Sequence, residues 1–283
     1  MTRTALMTTA ILLAGFGWTA AGRAQDKDTK KDVPAAAAAA AAPAPGKHLP
    51  QAKTQPEFDA YKAAVTSATP ETTEKAADDF ATKFPESEIR ILIYKQAMRG
   101  YQNANNVDKT IDMGRKCLTF DPDDPEVLVD VAQAIAEKTR STDLDKDQKY
   151  AEAQKYAEKA LQTVDTDLMA NPGTPQEQID QAKASLRSAA YSVLGTISYN
   201  KDTKADYATA EGYLRKSIDA LPSQPDPVAM LRLSIALDKQ DRYTDALAEI
   251  NKVVAITKEG TVVGDAARHE QSRLQTLTAN SIK

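Results

Sequence analysis

The 283-residue sequence has little of the chemistry that enzymes use. It contains one cysteine, Cys117, and two histidines, His48 and His269. A single cysteine forms no intramolecular disulfide, so packing alone must hold the fold together. Histidines this far apart in the sequence argue against a metal or acid–base site built on clustered imidazoles. Nucleophile-elbow, phosphate-loop and zinc-protease motifs are also missing. We therefore expect no enzyme, no cofactor and no bound metal.

An excess of positive charge is also lacking. The chain has 36 basic and 40 acidic residues, which gives a formal net charge of −4. Nucleic-acid-binding proteins and proteins that dock on anionic lipid need a basic surface. The composition therefore predicts neither kind of partner.

The first 24 residues have the order of a secretory signal peptide. Arg3 precedes an apolar run over residues 5–18, and small residues follow up to Ala24. The run is shorter than the roughly 18 apolar residues of a membrane anchor. We expect cleavage after Ala21 or Ala24, secretion across an inner membrane to a periplasmic or extracellular location, and no membrane insertion of the mature chain.

Residues 25–54 have the composition of a linker. Eight alanines, residues 35–42, lie between Pro34 and Pro43, and more prolines follow. Short isolated helices are marginal even when they are rich in alanine, and the prolines prevent extension. We expect a disordered Ala/Pro-rich linker that ends where a helical domain, residues 55–283, begins.

Residues 55–283 are helical in pattern and lack the alternation typical of strands. Helix starts are indicated where Ser, Thr or Asp precedes proline, and later prolines indicate stops. The predicted starts are Thr69-Pro70-Glu71, Asp124-Pro125-Glu126 and a capping box at Thr174-Pro175-Gln176-Glu177. The predicted stops are Pro85, Pro122, Pro172 and Pro222.

A recurring spacing organises these helices. Tyr191, Leu194 and Gly195 stand at the W-x2-L-G spacing, and Ala210, Leu214 and Pro222 follow in the later slots of the same template. The spacing recurs in phase at Tyr94–Pro122, Leu128–Ala160 and Met230–Val253, and in degenerate form at Phe58–Pro85. The chain therefore resembles a tetratricopeptide-repeat (TPR) protein over about residues 55–259. The phrase around residues 75–101 is also similar to periplasmic and outer-membrane-assembly members.

The resemblance implies an all-α, right-handed solenoid of antiparallel helix pairs, closed by a C-terminal capping helix near residues 262–280. It also implies a concave groove lined by fixed positions of the first helix in each pair. Carried over to this sequence, the candidate partner-binding residues are Lys95, Arg99, Asn103, Gln133, Glu137, Thr196, Tyr199 and Asn200.

The spacing of Lys95, Arg99 and Asn103 places two cations and an amide on one helix face, where a peptide carboxylate could bind. The alternative is an ordinary solvated face. The Lys/Asn clamp of chaperone-binding members is not present in this chain, because the later clamp positions hold Asp130, Ala189 and Val193.

Two functions follow from the resemblance. The first is an exported scaffold that binds a peptide or protein of the cell envelope in its groove. The alternative is a self-associating envelope protein, a homo-oligomer, whose groove is closed because Val228, Leu231 and Ile235 pack on the last helix. Cys117 occupies a small-residue slot, and we interpret it as a buried, inert thiol.

Overall fold

The computed structural model describes residues 47–280, so the predicted signal peptide and most of the predicted linker lie outside the described residues. Within this range the structure is helical and contains no strand. None of its helices is long and apolar enough to cross a membrane. The helices are α1 (Gln55–Val65), α2 (Pro70–Lys83), α3 (Arg90–Asn103), α4 (Val107–Phe120), α5 (Pro125–Lys138), α6 (Lys146–Thr163), α7 (Gln176–Asn200), α8 (Lys204–Ala220), α9 (Pro227–Asp238), α10 (Tyr243–Ile256) and α11 (Val262–Asn280).

Contacts between helices follow the order of the chain. Each helix packs on the next one, and the remaining extensive contacts join helices two apart. The described residues therefore form a single file of helix pairs, α1/α2 to α9/α10, closed by α11. Neighbour-only packing of this kind defines a solenoid. The predicted all-α, TPR-like fold with a C-terminal capping helix is confirmed.

The odd-numbered helices form the inner row of this solenoid. Direct contacts join α1 to α3, α5 to α7, α7 to α9 and α9 to α11, whereas the even-numbered helices make no comparably extensive contact with one another in the described part of the chain. The row whose members approach more closely lies on the inside of a curved stack. The predicted groove positions belong to this row.

The turns inside three of the pairs share one backbone feature. Asn105, Asp202 and Asp241 have φ angles of 54°, 63° and 63°, and each lies in the turn between the two helices of its pair. Asn and Asp tolerate this left-handed conformation better than other residues with side chains. The repeat is therefore visible in the backbone as well as in the sequence motif.

Most predicted helix ends agree with the structure. Thr69 and Asp124 accept hydrogen bonds from the first-turn amides of α2 and α5. Two predictions are wrong. Thr174 does not cap α7, which begins at Gln176 after Pro175 with no side-chain cap. Pro172 does not end α6, because that helix stops at Thr163 and the chain continues through a loop with buried Val164 and Leu168.

Small residues at the repeat slots let the helices approach closely. A Cβ on Gly114 of α4 would overlap Cγ2 of Val131 on α5, and one on Gly195 of α7 would lie 2.7 Å from Cγ of Leu214 on α8. Cys117 is fully buried among these contacts, and burial raises the pKa of its thiol to about 12. The thiol thus fills space and stays protonated at neutral pH.

Candidate functional site: the inner face of the solenoid

Lys95 of α3 lies in the interior rather than on an open groove. Only 7% of its side chain is exposed, and its Nζ donates to Asp124 at 2.7 Å and to Glu126 at 2.9 Å. Burial alone would lower the pKa of Lys95, but Glu126 and Asp124 raise it above the usual value. The same lysine correspondingly holds the pKa of Glu126 below its usual value against the effect of burial.

Asp124 explains why a charged residue is tolerated there. One of its carboxylate oxygens accepts from the amides of Glu126 and Val127 at the start of α5, and the other accepts from Lys95. Lys95 thereby ties α3 to the N-terminus of the next inner helix. Because its charge is already neutralised, it is a structural residue and has no free donor role toward a partner.

Arg99, one turn further along α3, is the accessible cation of this region. Its side chain is 53% exposed, and it lies 3.5 Å from Glu126. Asn103, another turn on, is exposed. The predicted stripe of three residues therefore divides into a buried lysine and two residues that solvent reaches.

Asp130 of α5 completes this part of the inner face. It is half-buried and accepts a hydrogen bond from Gln102 of α3. Burial and the nearby Glu126 raise its pKa to about 6, although the bond from Gln102 and the charge of Arg99 act in the opposite direction. Arg99, an accessible cation, thus lies near Asp130, a carboxylate with a pKa of about 6, between α3 and α5.

The remaining predicted residue of α5 pairs within its own helix. Gln133 is half-buried and donates to the exposed Glu137 at 3.0 Å. This leaves Glu137 accessible toward the C-terminal end of the helix. The pair extends the polar strip of the inner face toward the C-terminal end of α5.

The predicted residues of α7 have separate roles. Thr196 is buried and accepts from Arg232 of α9 at 2.9 Å. Tyr199 is half-buried and packs edge-on against Tyr207 at 5.6 Å between ring centroids. Asn200 bonds to Tyr150 of α6. All three residues mainly connect neighbouring helices, and Tyr199 and Asn200 keep part of their surface exposed.

The last helix packs beside α9, as one of the two sequence hypotheses requires. Arg273 of α11 lies 2.6 Å from Asp238 of α9, and it also pairs with Glu270. Val228, Leu231 and Ile235 are half-buried, and Leu231 packs against the C-terminal core cluster. The inner face is therefore more covered at its C-terminal end than between α3 and α5.

Sequence reasoning missed the roles of Asp124, Asp130 and Arg232. A common signal identifies two of them, because Asp130 and Arg232 are isolated charges in the middle of apolar helices, PEVLVDVAQAIAEK and PVAMLRLSIALD. Lys95 fits the same description within RILIYKQAM. A charge in such a position needs a partner on a neighbouring helix, and here the partners lie across the inner row.

No protein-family model matches the sequence, and no curated protein matches it. Solved structures do show similarity. PilW, a widely conserved type IV pilus biogenesis factor, is 18% identical, with 79% of this chain and 94% of PilW covered at a TM-score of 0.45. The assembly chaperone of RpL4, Acl4, is 13% identical, with 79% and 98% covered at 0.36. The APC/C hetero-tetramer Cut9–Hcn1 is 14% identical, with 78% and 45% covered at 0.32.

The repeat spacing and the single file of helix pairs decide the architecture. The described residues have a TPR-like helical repeat fold. Their inner face carries a tightly paired charge cluster between α3 and α5, with the half-exposed Arg99 at its edge, and a more enclosed C-terminal part beside α11.

Proposed function

We propose that this protein is an exported scaffold that binds an extended segment of another cell-envelope protein on the inner face of its solenoid. The observation that carries the proposal is Arg99, a half-exposed guanidinium held beside Glu126 and Asp130 on the row of inner helices. Stacked helix pairs present a long continuous surface of this kind to extended peptides.

The chemistry of the partner follows from the groups that are free. Arg99 can hold a carboxylate with two parallel hydrogen bonds, and Asn103 and Glu137 offer further polar contacts along the same face. Lys95 is excluded from this role, since two carboxylates already neutralise it. We infer that the segment is extended and carries at least one acidic group that pairs with Arg99.

A capture experiment tests the binding function. The tagged protein is used to recover partners from an envelope extract of the native host, and Arg99→Glu is compared with Lys155→Glu. Lys155 lies exposed on the outer helix α6, so this control makes the same charge change away from the inner face. We expect recovery to fall at least tenfold for Arg99→Glu alone. Unchanged recovery of every partner would refute the assignment of the inner face.

Export is tested separately. The full chain with a C-terminal tag is expressed in its host, the compartments are separated, and the N-terminus of the mature protein is sequenced. We expect a periplasmic or extracellular product that begins at Gly22 or Gln25. An intact N-terminus in the cytoplasmic fraction would overturn the export proposal and would leave the binding proposal standing.

Self-association is the alternative function, and one observation favours it. Ile256 and Val262, on either side of the turn that leads into α11, are 52% and 44% exposed. Sedimentation equilibrium of the protein and of an Ile256→Ser, Val262→Ser variant distinguishes the two functions. A stable dimer that the variant abolishes favours self-assembly, whereas a monomer in both cases favours the scaffold.

A further inference from the structure

Residues 47–54, which precede α1, form an extended strap along one edge of the solenoid. Near its start, Lys47 pairs with Asp121 and, at 3.2 Å, with Asp167. His48 lies 3.4 Å from Glu88, and Lys53 donates to the carbonyl oxygen of Glu86 at 3.4 Å. The strap therefore contacts the turns that connect successive helix pairs, α2 to α3, α4 to α5 and α6 to α7.

The strap is fixed at its α1 end by a buried carboxylate. Glu57 accepts from the amides of Lys53 and Thr54, at 2.7 Å and 3.2 Å, and from the hydroxyl of Ser87. Glu57 is 4% exposed. The hydrogen bond from the Ser87 hydroxyl lowers the pKa of Glu57 below its usual value, although burial acts in the opposite direction. The bond from Thr54 belongs to the capping box of α1, so we expect this root to persist when the rest of the strap is released.

The other end is held by Lys47 and, more weakly, by the solvent-exposed contact of His48 with Glu88. The Lys47 side chain is 27% exposed. Burial lowers the pKa of Lys47, but Asp121 and Asp167 raise it above its usual value. From Thr54 to Lys47 an extended chain spans at most about 25 Å, so these two side chains secure the far end of the strap. Loss of the Lys47 charge should release most of the strap without disturbing its root.

The docked strap also lines an open groove. A space of about 500 Å³ lies between the strap and helices α1 and α3, and its lining is mixed, with Phe58, Tyr61, Ile89 and Leu92 on the helix side and Gln51, Lys53 and Thr54 among the strap residues. Leu92 belongs to the same face of α3 as Arg99, seven residues away. The strap thus forms one wall of a mixed polar and apolar groove at the N-terminal end of the inner face.

We propose that residues 47–54 are a hinged strap, rooted at Glu57 and latched by Lys47 between Asp121 and Asp167, whose release widens the groove at the N-terminal end of the inner face. The inter-repeat turns act as a docking strip for a basic extended segment, and the chain's own strap occupies it. High salt or a competing basic segment releases the latch by screening or replacing Lys47.

The test measures the position of the strap directly in the full chain. Nitroxide labels at Gln51→Cys and Lys155→Cys report the distance between the strap and α6, and the buried Cys117 does not compete for label. We expect one narrow distance distribution in this parent. Lys47→Gln should raise the released, broad component about tenfold or more, because hydrogen bonds between charged groups contribute about 1.5–3 kcal/mol. Lys201→Gln, an exposed charge in the α7–α8 turn, should leave it unchanged.

Two further measurements complete the test. Asp121→Asn should release the strap less than Lys47→Gln does, because Lys47 still pairs with Asp167, and the double variant should release it no further than Lys47→Gln alone. The released component should also grow between 0.1 M and 1 M salt in the parent. A broad distribution in the parent, or an unchanged one in Lys47→Gln, overturns the proposal. So does a narrow distance that disappears on dilution with unlabelled protein, since the strap would then dock on a second copy.

Discussion

The α3–α5 and α7–α9 junctions connect successive inner helices by different chemistry. At α3–α5, Lys95 bridges to Asp124 and Glu126, and all three residues are largely removed from solvent. At α7–α9 the helices touch directly, and the polar links are a hydrogen bond from Arg232 to Thr196 and a longer one, at 3.5 Å, from Ser192 to Asp226 at the start of α9. One repeat architecture thus uses a buried charge network in one place and close helix contact with two separate hydrogen bonds in another.

The difference determines which charges are free to bind. A buried lysine between two carboxylates stabilises the stack only while all partners are present, because an unpaired buried charge is costly. It therefore serves structure, and the proposed binding role falls to Arg99, the half-exposed cation at its edge. Where helices pack directly, as at α7–α9, the inner face offers fewer charges and is partly covered by α11.

The largest effect is expected from removing the buried cation. Lys95→Met removes the buried cation shared by Asp124 and Glu126, which keep only the α5 amides and the more distant Arg99, and it should lower the free energy of unfolding by about 3–5 kcal/mol. Arg99→Met is the matched control, and it should cost less than about 1 kcal/mol because Arg99 is half-exposed. Urea unfolding of both variants measures the two changes in the free energy of unfolding. Equal losses would show that Lys95 and Arg99 contribute alike to stability, which would contradict a structural role for Lys95 alone.

A second prediction compares glycines at close and open positions. Gly114→Ala places a methyl group against Val131 and should destabilise the fold by about 1–3 kcal/mol. Gly212→Ala on α8 meets nothing within 4 Å, and it should instead stabilise by about 0.5–1 kcal/mol because alanine favours helix. Thermal unfolding checks the opposite signs. A stabilised Gly114→Ala would contradict the close approach of α4 and α5.

Asp130 should make the stability of the α3–α5 junction depend on pH. Its folded-state pKa of about 6 lies above the usual value, so the folded protein binds this proton more tightly than the unfolded chain does. The resulting stability is complete below about pH 4 and is lost as the pH rises through 6. Asp130→Asn should therefore stabilise the protein by about 1 kcal/mol at pH 7.5 and not at pH 4. Unfolding curves at both pH values test this, and a gain of equal size at both would contradict it.

The smallest effect is expected at the other junction. Thr196→Val removes the acceptor of Arg232 but keeps the shape of the side chain, and it should cost about 1 kcal/mol. Arg232 is half-buried, so solvent can partly replace the lost partner. Urea unfolding measures the change. A loss as large as that of Lys95→Met would mean that the two junctions depend on polar links equally.

The sequence predicts the repeat architecture well because its signals are local. Tyr191, Gly195 and Ala210 recur at helical spacing, and small residues are required wherever two helices meet closely. The site is less predictable, because its chemistry depends on which charges meet across helices. Lys95 and Arg99 look equivalent on one face of α3, yet only the structure shows that Asp124 reaches Lys95 from the start of α5.

The helix ends show the same limit. Thr174-Pro175 has the residues of a helix start, but the loop after α6 is held by buried Val164 and Leu168, and α7 begins without a side-chain cap. Packing of the loop after α6 therefore outweighs the local signal for a helix start at Thr174.

Site-specific photo-cross-linking in the native host shows whether the inner face meets a partner. A photoreactive residue is placed at the exposed positions Asn103 of α3 or Glu137 of α5, and at the exposed Lys75 of α2 or Lys155 of α6 in the outer row. We expect a discrete protein adduct from the two inner positions and none from the two outer ones. Adducts only from Lys75 or Lys155, or no adduct from any position, would contradict partner binding on the inner face.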